Sequence, residues 1–392
     1  MPEREPRPDA PELADAAARW RSAYVHIPFC ARRCPYCDFA VVPADDGGSG
    51  TVVDRYVAAL HDEITMEEPW DQLDAVNFGG GTPSRLPASD IEELIAHLQS
   101  RFGLAPHAEV SIEANPEDWS EGYAAAVRGA GVTRVSLGVQ SFDETVLESL
   151  GRLHTPQQAS DAVTVATTLG FSTNLDLIYG TPGEDSDSWA STIGKTLALE
   201  PDHLSAYALT VEPGTDLFRS VTSGAPRPDP DDQADKWTAL AGAAAGAGLI
   251  RYEVSNYALP GEICRYNLST WAAGEYVAFG LGAHGHRDGV RRRNARRLDR
   301  YLETVERGDR PEAGREELGA FERDRERVML GLRRTAGVEA GVSGTALLAS
   351  EEGERLIEAR VLDPRGGRLV VRQPLLTDVV VKSVLAIEEP QR

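Results

Sequence analysis

The sequence has little cysteine, little basic charge and no long apolar run. It contains four cysteines in 392 residues, too few to build a disulfide framework in a chain of this length. The formal net charge is -22, which argues against general nucleic-acid binding, because phosphate contacts need clustered lysine and arginine. No segment approaches the roughly 18 consecutive apolar residues that span a bilayer. We therefore expect neither a nucleic-acid partner nor a membrane span.

The N-terminal segment, residues 1–21, also lacks an apolar stretch. It contains prolines and charges of both signs, so it does not form a secretion signal, and we predict a disordered tail. Three of the four cysteines lie close together between positions 30 and 37. Clustered free thiols suit a reducing compartment, and we expect a cytoplasmic protein.

Short apolar segments alternate with amphipathic ones over most of the chain. The pattern predicts strands at Tyr24–Ile27, Ala75–Phe78, Glu109–Glu113, Arg134–Val139, Thr173–Ile178, His203–Leu209 and Tyr252–Ser255. It predicts helices at Asp54–Thr65, Ser89–Arg101, Glu121–Gly129, Pro156–Leu169, Ser188–Leu199 and Asp232–Ala247. Such alternation indicates βαβ units with a parallel sheet, hence an α/β fold. So many repeats fit a full or partial β/α barrel, although an open doubly wound sheet would give much the same pattern.

The densest group of reactive side chains follows the first predicted strand. Cys30, Cys34 and Cys37 are separated by three and then two residues. Thiolates are the usual ligands of iron–sulfur clusters, which normally take four, so three ligands leave one iron open for a substrate or cofactor. A structural zinc ion is the competing interpretation, but it needs a fourth Cys or His. His26 and Cys264 are the obvious candidates for that ligand.

Glycine and polar residues mark the ends of the next predicted strands. The run Gly79–Gly81 ends the second strand, where a ligand can approach a backbone that has no Cβ atoms. Glu113 ends the third strand, Gln140 ends the fourth, and Asp176 lies inside the fifth. A single polar residue at a strand end is more often a cap than a ligand contact. Several of them in register with the cysteine loop indicate a binding site.

These blocks, in this order, resemble the radical S-adenosylmethionine (SAM) superfamily. The resemblance implies a partial β/α barrel, a [4Fe–4S] cluster held by Cys30, Cys34 and Cys37, and SAM chelated at the open iron, where it is cleaved to a 5′-deoxyadenosyl radical. From Tyr24 to Leu302 the blocks resemble one branch, the oxygen-independent coproporphyrinogen III oxidases and the HemW heme chaperones. The residues that match SAM contacts in that branch are Tyr24, Gly80, Gly81, Thr82, Glu113, Gln140, Arg152 and Asp176.

One position separates the two subfamilies of this branch. The oxidases carry a fourth cysteine two residues after the third, where this chain has Phe39. They also carry a long N-terminal extension, which the short tail here does not match. The resemblance therefore implies a heme chaperone that delivers heme to client proteins, with porphyrin decarboxylation as the alternative function. A reducing electron donor is an expected further partner.

The sequence departs most clearly from the pattern of the HemW proteins at the position implicated in heme ligation. HemW proteins have a His-Asn-x-x-Tyr-Trp segment implicated in heme binding, and the matching segment here begins with Tyr266 in place of the histidine. Tyr266 is a possible heme ligand, since a phenolate ligates iron in catalase, or it is a packed aromatic residue. His284 and His286 are alternative ligands. The arginines between positions 287 and 300 suit propionates, or they form a solvated loop and helix face.

Changes in composition and pattern, together with the extent of the resemblance, divide the chain into four predicted parts. After the tail, residues 22–240 form the radical SAM core, and residues 241–312 form an extension shared with the branch. Residues 313–392 are predicted to be a small helical, winged-helix-like domain. Its hairpin turn is placed at Asp363–Gly367 by the Pro and Gly residues there. Within the core, Glu212–Asp232 is rich in Pro, Gly and Asp and is predicted to be a long loop.

Overall fold

A computed structural model describes residues 7–44 and 51–389. The strands are β1 (Ser22–Ile27), β2 (Phe29–Cys30), β3 (Val42–Pro43), β4 (Leu73–Gly80), β5 (Leu104–Ala114), β6 (Arg134–Gln140), β7 (Ser172–Tyr179), β8 (His203–Ala208), β9 (Ile250–Arg251), β10 (Asn256–Ala258), β11 (Tyr276–Phe279), β12 (His284–Arg287), β13 (Val290–Asn294), β14 (Glu312–Glu317), β15 (Val338–Glu339), β16 (Leu362–Arg365) and β17 (Arg368–Val371). The α-helices are α1 (Pro11–Ala16), α2 (Thr51–Met66), α3 (Ala88–Phe102), α4 (Glu121–Gly129), α5 (Glu144–Ser149), α6 (Pro156–Thr168), α7 (Ser186–Ala198), α8 (Asp216–Thr222), α9 (Pro230–Gly246), α10 (Arg265–Trp271), α11 (Leu298–Glu306), α12 (Ala320–Gly331), α13 (Gly341–Leu348), α14 (Glu351–Glu358) and α15 (Thr377–Leu385). In this part of the chain, none of the helices combines the length and the apolar character needed to cross a membrane.

The main sheet has twelve strands in the order β14-β13-β12-β11-β1-β4-β5-β6-β7-β8-β10-β9. From β11 to β8 all neighbouring strands are parallel, as the alternation of strands and helices predicts. Antiparallel strands extend the sheet at both ends. Among the described residues the two outer strands do not pair with each other, so the sheet is open. The predicted α/β fold, a partial β/α barrel, is confirmed.

The two faces of the parallel sheet differ in chemistry. On β1, the side chains of Val25 and Ile27 are completely buried in the apolar core. Tyr24 and His26 lie on the opposite face, because successive side chains of a strand alternate, and we call this the inner face. The register places polar residues of the next strands on the same face, namely Asn77, Ser111, Ser136, Asn174 and His203. Since the carboxyl ends of parallel strands meet at one edge, polar side chains from several strands share one space there.

The C-terminal segment forms a small unit with its own core. Four helices, α12 to α15, pack with a three-stranded sheet in the order β15-β17-β16, and the buried residues include Val328, Leu347, Leu369 and Val380. The β16–β17 hairpin turns at residues 366–367, within the predicted turn. The strand β14, however, pairs with β13 of the main sheet. The main sheet therefore extends past the boundary predicted at residue 313.

The N-terminal segment differs from the prediction of a disordered tail. Residues 11–19 form α1 and a 3-10 turn, and Ala14 and Ala17 are buried. Arg334 donates to the carbonyl of Ala14 at 2.6 Å, and Arg368 forms an ion pair with Asp15 at 2.7 Å. These long-range contacts with the C-terminal unit hold a segment whose composition alone resembles a tail. Residues 1–6 of the predicted tail lie outside the described residues.

Two local predictions were also wrong, and a third was wrong in part. Residues 252–255, predicted as a strand, form the connection between β9 and β10, because the buried Tyr252 hydroxyl contacts His203 Nε2 at 2.8 Å and fixes the chain there. The predicted loop 212–232 contains α8, whose N-terminus is capped by Thr215. Within the arginine-rich segment, residues 287–293 form the antiparallel pair β12–β13, whereas Arg296 and Arg297 lie in an exposed loop and Arg300 lies on the exposed face of α11, as predicted.

Candidate functional site

The three clustered cysteines lie on one loop at the carboxyl end of β1. The chain continues from β1 into the short strand β2, which pairs with β3 and closes the loop between them. Within the loop the amide of Cys37 donates to the carbonyl of Cys34 at 3.1 Å. Cys30, Cys34 and Cys37 are half-buried free thiols, and all three line a cavity of about 450 Å³. The prediction that they act together is consistent with this common orientation.

Neighbouring side chains hold the loop and contact its sulfur atoms. Arg32 donates to the carbonyl of Gly151 at 2.7 Å, which ties the loop to the turn after α5. Thr82 Oγ1 lies 3.5 Å from Cys30 Sγ, and Arg152 Nη1 lies 3.8 Å from Cys34 Sγ. Burial raises the pKa of Cys30 to about 11, although the hydroxyl of Thr82 acts in the opposite direction. Cysteine binds metals in its thiolate form. Binding of a metal centre to these three cysteines would therefore release protons.

The donor set fits a polynuclear centre better than a zinc ion with four protein ligands. In the described residues, no three His, Cys, Asp or Glu side chains stand close enough to hold one metal ion, whereas a [4Fe–4S] cube binds each thiolate at a different iron. Both ring nitrogens of His26 are occupied, Nε2 by the carbonyl of Ala40 at 2.9 Å and Nδ1 by the hydroxyl of Tyr24 at 3.1 Å. Cys264 is buried and contacts Glu109 at 3.5 Å. Neither of the proposed fourth zinc ligands is free to bind the loop's metal.

Glycines let the end of β4 fit between the cysteine loop and the inner face. Gly80 has a φ of +112°, and a Cβ there would lie 2.4 Å from the ring of His26. A Cβ at Gly81 would lie 2.6 Å from the backbone carbonyl of Pro28. The amide of Gly80 donates to Glu113 Oε2 at 3.1 Å. Close packing is therefore sufficient reason for glycine at both positions.

We expect Gly81→Ala to lower the free energy of unfolding by about 1–3 kcal/mol, because the new methyl group must push the Pro28 backbone aside. Gly122→Ala is the matched control, since Gly122 lies in α4 and a Cβ there meets nothing within 4 Å. That control should be as stable as the parent or more stable by about 0.5–1 kcal/mol. Urea unfolding followed by tryptophan fluorescence measures both. Equal stability of the two variants would contradict the packing argument.

Two carboxylates and one arginine face the cavity. Burial raises the pKa of Glu113 to about 7, and the charge of Asp176 adds to the effect. Asp176 accepts hydrogen bonds from Ser136 at 2.6 Å and from Asn174 at 2.9 Å, and burial also raises its pKa. Arg152 lines the same cavity, and its Nη1 lies 3.8 Å from Cys34 Sγ. Such an arrangement can receive a ligand that carries ammonium, hydroxyl and carboxylate groups.

The backbone conformation of Gln140 and the hydrogen bonds of Arg152 orient these two side chains in the cavity. Gln140 has a φ of +63°, an uncommon conformation for a residue other than glycine, at a register irregularity between β6 and β7. Arg152 donates to the carbonyl of Gly138 at 2.9 Å and to Asn115 Oδ1. Asn115 in turn donates to Thr82 at 3.2 Å. Sequence reasoning missed Asn115, whose only signal was its place two residues after Glu113.

The structure brings together most of the predicted site residues. One cavity is lined by Cys30, Cys34, Cys37, Gly80, Gly81, Thr82, Glu113, Gln140, Arg152 and Asp176. Tyr24 lies next to that cavity, since its hydroxyl contacts His26, which packs on Gly80. Tyr266 stacks on Tyr24 with ring centroids 6.0 Å apart. The cavity lining also includes Tyr207 of β8, which the sequence analysis did not single out.

Comparison with known proteins agrees with this geometry. The radical SAM superfamily matches residues 24–195, which include the cysteine loop and the parallel strands up to β7. The solved structure of coproporphyrinogen III oxidase HemN from Escherichia coli has the same fold, with a TM-score of 0.78 and 22% identity over 95% of this chain and 91% of that one. Fold and site thus define a radical SAM protein, a class in which a [4Fe–4S] cluster and SAM are the cofactors.

Named relatives show to which family within this class the chain belongs. The heme chaperone HemW of Mycobacterium tuberculosis is 41% identical over 388 residues, covering 96% of this chain and 98% of that protein. HemW of Escherichia coli is 39% identical over 67% of this chain and 69% of its own length. A mouse protein, mitochondrial radical S-adenosyl methionine domain-containing protein 1, is 34% identical over 72% of this chain and 65% of its own length. The chain belongs to the HemW family.

Proposed function

We propose that Cys30, Cys34 and Cys37 hold the [4Fe–4S] cluster, and that the surrounding cavity holds SAM. In this assignment Arg152 pairs with the carboxylate of SAM as a charge-assisted hydrogen bond. The backbone of Gly80 and Gly81, with Thr82, lies beside the amino group. When bound, the cluster and SAM supply the capacity to generate a 5′-deoxyadenosyl radical. The shared cavity and the contacts of Arg152 and Thr82 with cysteine sulfur atoms support the assignment.

Glu113, Gln140 and Asp176 are assigned to the polar remainder of SAM. Asp176 lies on β7 with hydrogen bonds to two neighbours already made, so its oxygens are fixed before a ligand arrives. Glu113 is held by the amide of Gly80. Its raised pKa, about 7, means that a nearby cation would favour its charged form. Tyr24 is assigned a supporting contact at the edge of this space.

We further propose that the chain binds heme and passes it to client proteins. The observation that carries this proposal is the 41% identity with a HemW heme chaperone along nearly the whole of both chains. Phe39 supports it, because an exposed phenylalanine stands where the related oxidases carry a fourth cysteine. In this role the protein's own side chains must bind heme reversibly.

An anaerobic heme titration of the cluster-loaded protein tests this function. We expect a shift of the Soret absorbance that saturates near one heme per chain, followed by transfer of the heme to an added apo-hemoprotein. Absence of any heme-dependent change would remove the chaperone function. Conversion of coproporphyrinogen III to protoporphyrinogen under reducing conditions with SAM would instead identify an oxidase. The two assays use the same preparation, so they distinguish the alternatives directly.

A further inference from the structure

The inner face of the sheet continues beyond the SAM cavity onto the strands β11, β12 and β13. Tyr24 of β1 pairs with Ala278 of β11, and Tyr276 of β11 pairs with His286 of β12. His284 therefore lies on the inner face as well, two residues from His286 along the same strand. Across the hairpin, His284 is directly opposite Arg293, and side chains of directly opposed residues are neighbours on one face.

The arginines of this hairpin and of the loop that follows it differ in the ion pairs that they form with the described residues. Arg287 and Arg292 face the other side, where they lie 3.6 and 4.0 Å from Glu67. On the inner face, Arg291 forms ion pairs with Glu316 and Glu326. These three are neutralised by the fold and have little charge to offer a ligand.

Arg293 and Arg296 differ from these three arginines in exposure and in ion pairing. Both are exposed, and within residues 7–44 and 51–389 neither forms an ion pair with a carboxylate. Arg293 packs across Gly314 of the neighbouring strand, and a Cβ at Gly314 would lie 2.6 Å from its Nε. Arg296 donates to the carbonyl of Asp38 at 3.1 Å. Two arginine side chains are thus held in place beside His284 with guanidinium groups available to an anion.

The cysteine loop reaches this hairpin on its other side. A Cβ at Gly282 would lie 3.2 Å from Ala40 and 3.3 Å from Arg296, so the loop packs on the residues just before β12. The neighbouring Phe39 is 58% exposed and also lines the cofactor cavity. An aromatic ring this exposed, next to a cavity, suits an apolar planar ligand. Phe39 therefore lies at the edge of the cofactor cavity, next to the part of the loop that contacts Gly282 and Arg296.

The imidazole of His284 is suited to iron. Partial burial lowers its pKa, and the charges of Arg293, Arg296 and Arg291 lower it further, so the neutral form of the ring is favoured. A neutral imidazole nitrogen is the form that binds metals. The ring is exposed, so a ligand as large as a porphyrin can reach it.

Tyr266, by contrast, is a poor ligand. Its ring stacks on Tyr24 and meets Tyr276 edge-on at a centroid distance of 6.2 Å. Burial raises the pKa of its phenol well above the ordinary value, and the other tyrosines and Glu113 add to the effect. Loss of the phenol proton, which a tyrosinate ligand requires, is therefore unfavourable in this packed position. The stacked position beside Tyr24 indicates a packing role.

We propose that heme binds at the mouth of the cofactor cavity with His284 as the axial ligand of the iron, Arg293 and Arg296 as partners of the propionates, and Phe39 against the porphyrin. This inference rests on the proposed heme-carrier function and specifies its site. It places heme next to the cysteine loop, outside the space assigned to SAM. The histidine lost at position 266 is replaced by one from the neighbouring hairpin.

Heme titrations of variants in the full-length, cluster-loaded protein test this site. We expect His284→Ala to weaken heme binding at least tenfold and to change the Soret maximum and the EPR spectrum of ferric heme. Added imidazole should restore a histidine-like spectrum in that variant. Tyr266→Phe should leave the spectrum unchanged, and His107→Ala, which removes an exposed histidine on β5, is the matched control. A wild-type spectrum and affinity in His284→Ala would overturn this site while leaving the carrier function intact, and failure of the wild-type protein to bind heme would overturn both.

The arginines are tested with a modified ligand. We expect Arg293→Gln and Arg296→Gln each to weaken heme binding roughly tenfold, as loss of a charge-assisted hydrogen bond predicts. With heme dimethyl ester, whose propionates are uncharged, the same substitutions should have little effect. An equal loss of affinity for heme and its dimethyl ester would contradict the propionate assignment.

Discussion

Replacing Cys34 by alanine should remove the iron–sulfur cluster. The remaining Cys30 and Cys37 offer two thiolates to a cube that normally takes three or four protein ligands, and Arg152 would lose the sulfur atom it contacts at 3.8 Å. We expect iron and acid-labile sulfide to fall close to zero after anaerobic reconstitution. The charge-transfer absorption and the EPR signal of the reduced cluster should disappear as well.

The control for this substitution is the chain's remaining cysteine. Cys264 is buried and contacts Glu109 rather than the cysteine loop, so Cys264→Ser should retain full iron and sulfide. Circular dichroism of both variants checks that the fold is intact. Full iron and sulfide content in Cys34→Ala would show that the ligand assignment is wrong. Zinc in place of iron in anaerobically purified wild-type protein would do the same.

Local sequence patterns predicted the parallel core well. The helix predicted at Glu121–Gly129 has those bounds in the structure, and the strand predicted at Arg134–Val139 is one residue short of β6. These elements alternate regularly and bury continuous apolar faces, so the pattern of residues is sufficient to predict them. Openness of the sheet could not be predicted in this way. It depends on pairing between strands far apart in the sequence, which periodicity does not encode.

The predicted cofactor residues could be named because they lie near short motifs, and the residues that support them were missed because they do not. The cysteine spacing and the glycine run are visible in the sequence, whereas the chain from Thr82 through Asn115 to Arg152 exists only after folding. The positive φ of Gln140 is likewise invisible in a residue type that seldom adopts it. The assignment of these residues to SAM and cluster remains a prediction.

Contacts that are invisible in the sequence accompany two of the wrong predictions. The arginine-rich segment was predicted as a possible solvated surface, because the sequence does not show which acidic residues lie beside each arginine after folding. In the structure Arg291 of β13 pairs with Glu316 of β14 and with Glu326 of α12, so part of this charged segment lies in a sheet with acidic partners beside it. The N-terminal segment is ordered because Ala17 packs in a buried cluster with Tyr252 and Ala258, and Asp15 also meets Arg368 from the far end of the chain.

Replacing Glu109 by alanine should destabilise the protein by about 3–5 kcal/mol, because it leaves a buried charge without its partner. Glu109 Oε2 lies 2.9 Å from Arg134 Nε, and both side chains are almost completely buried. The other carboxylate oxygen accepts from the amide of Arg265 at 2.9 Å, at the start of α10. Burial alone would lower the pKa of Arg134, yet the charge of Glu109 raises it. Urea unfolding of the variant measures the loss.

Two further variants separate the buried charge from a general effect of removing glutamate. Glu317→Ala breaks an exposed ion pair with Arg315 and should cost less than about 1 kcal/mol. In Glu109→Ala/Arg134→Met no charge is left buried, so the double variant should recover part of the stability that Glu109→Ala loses. Recovery should remain incomplete, because the hydrogen bonds of Arg134 to the carbonyls of Glu262 and Ile263 are also lost. A double variant less stable than Glu109→Ala would mean that Arg134 stabilises the fold mainly through those carbonyls and not through its ion pair.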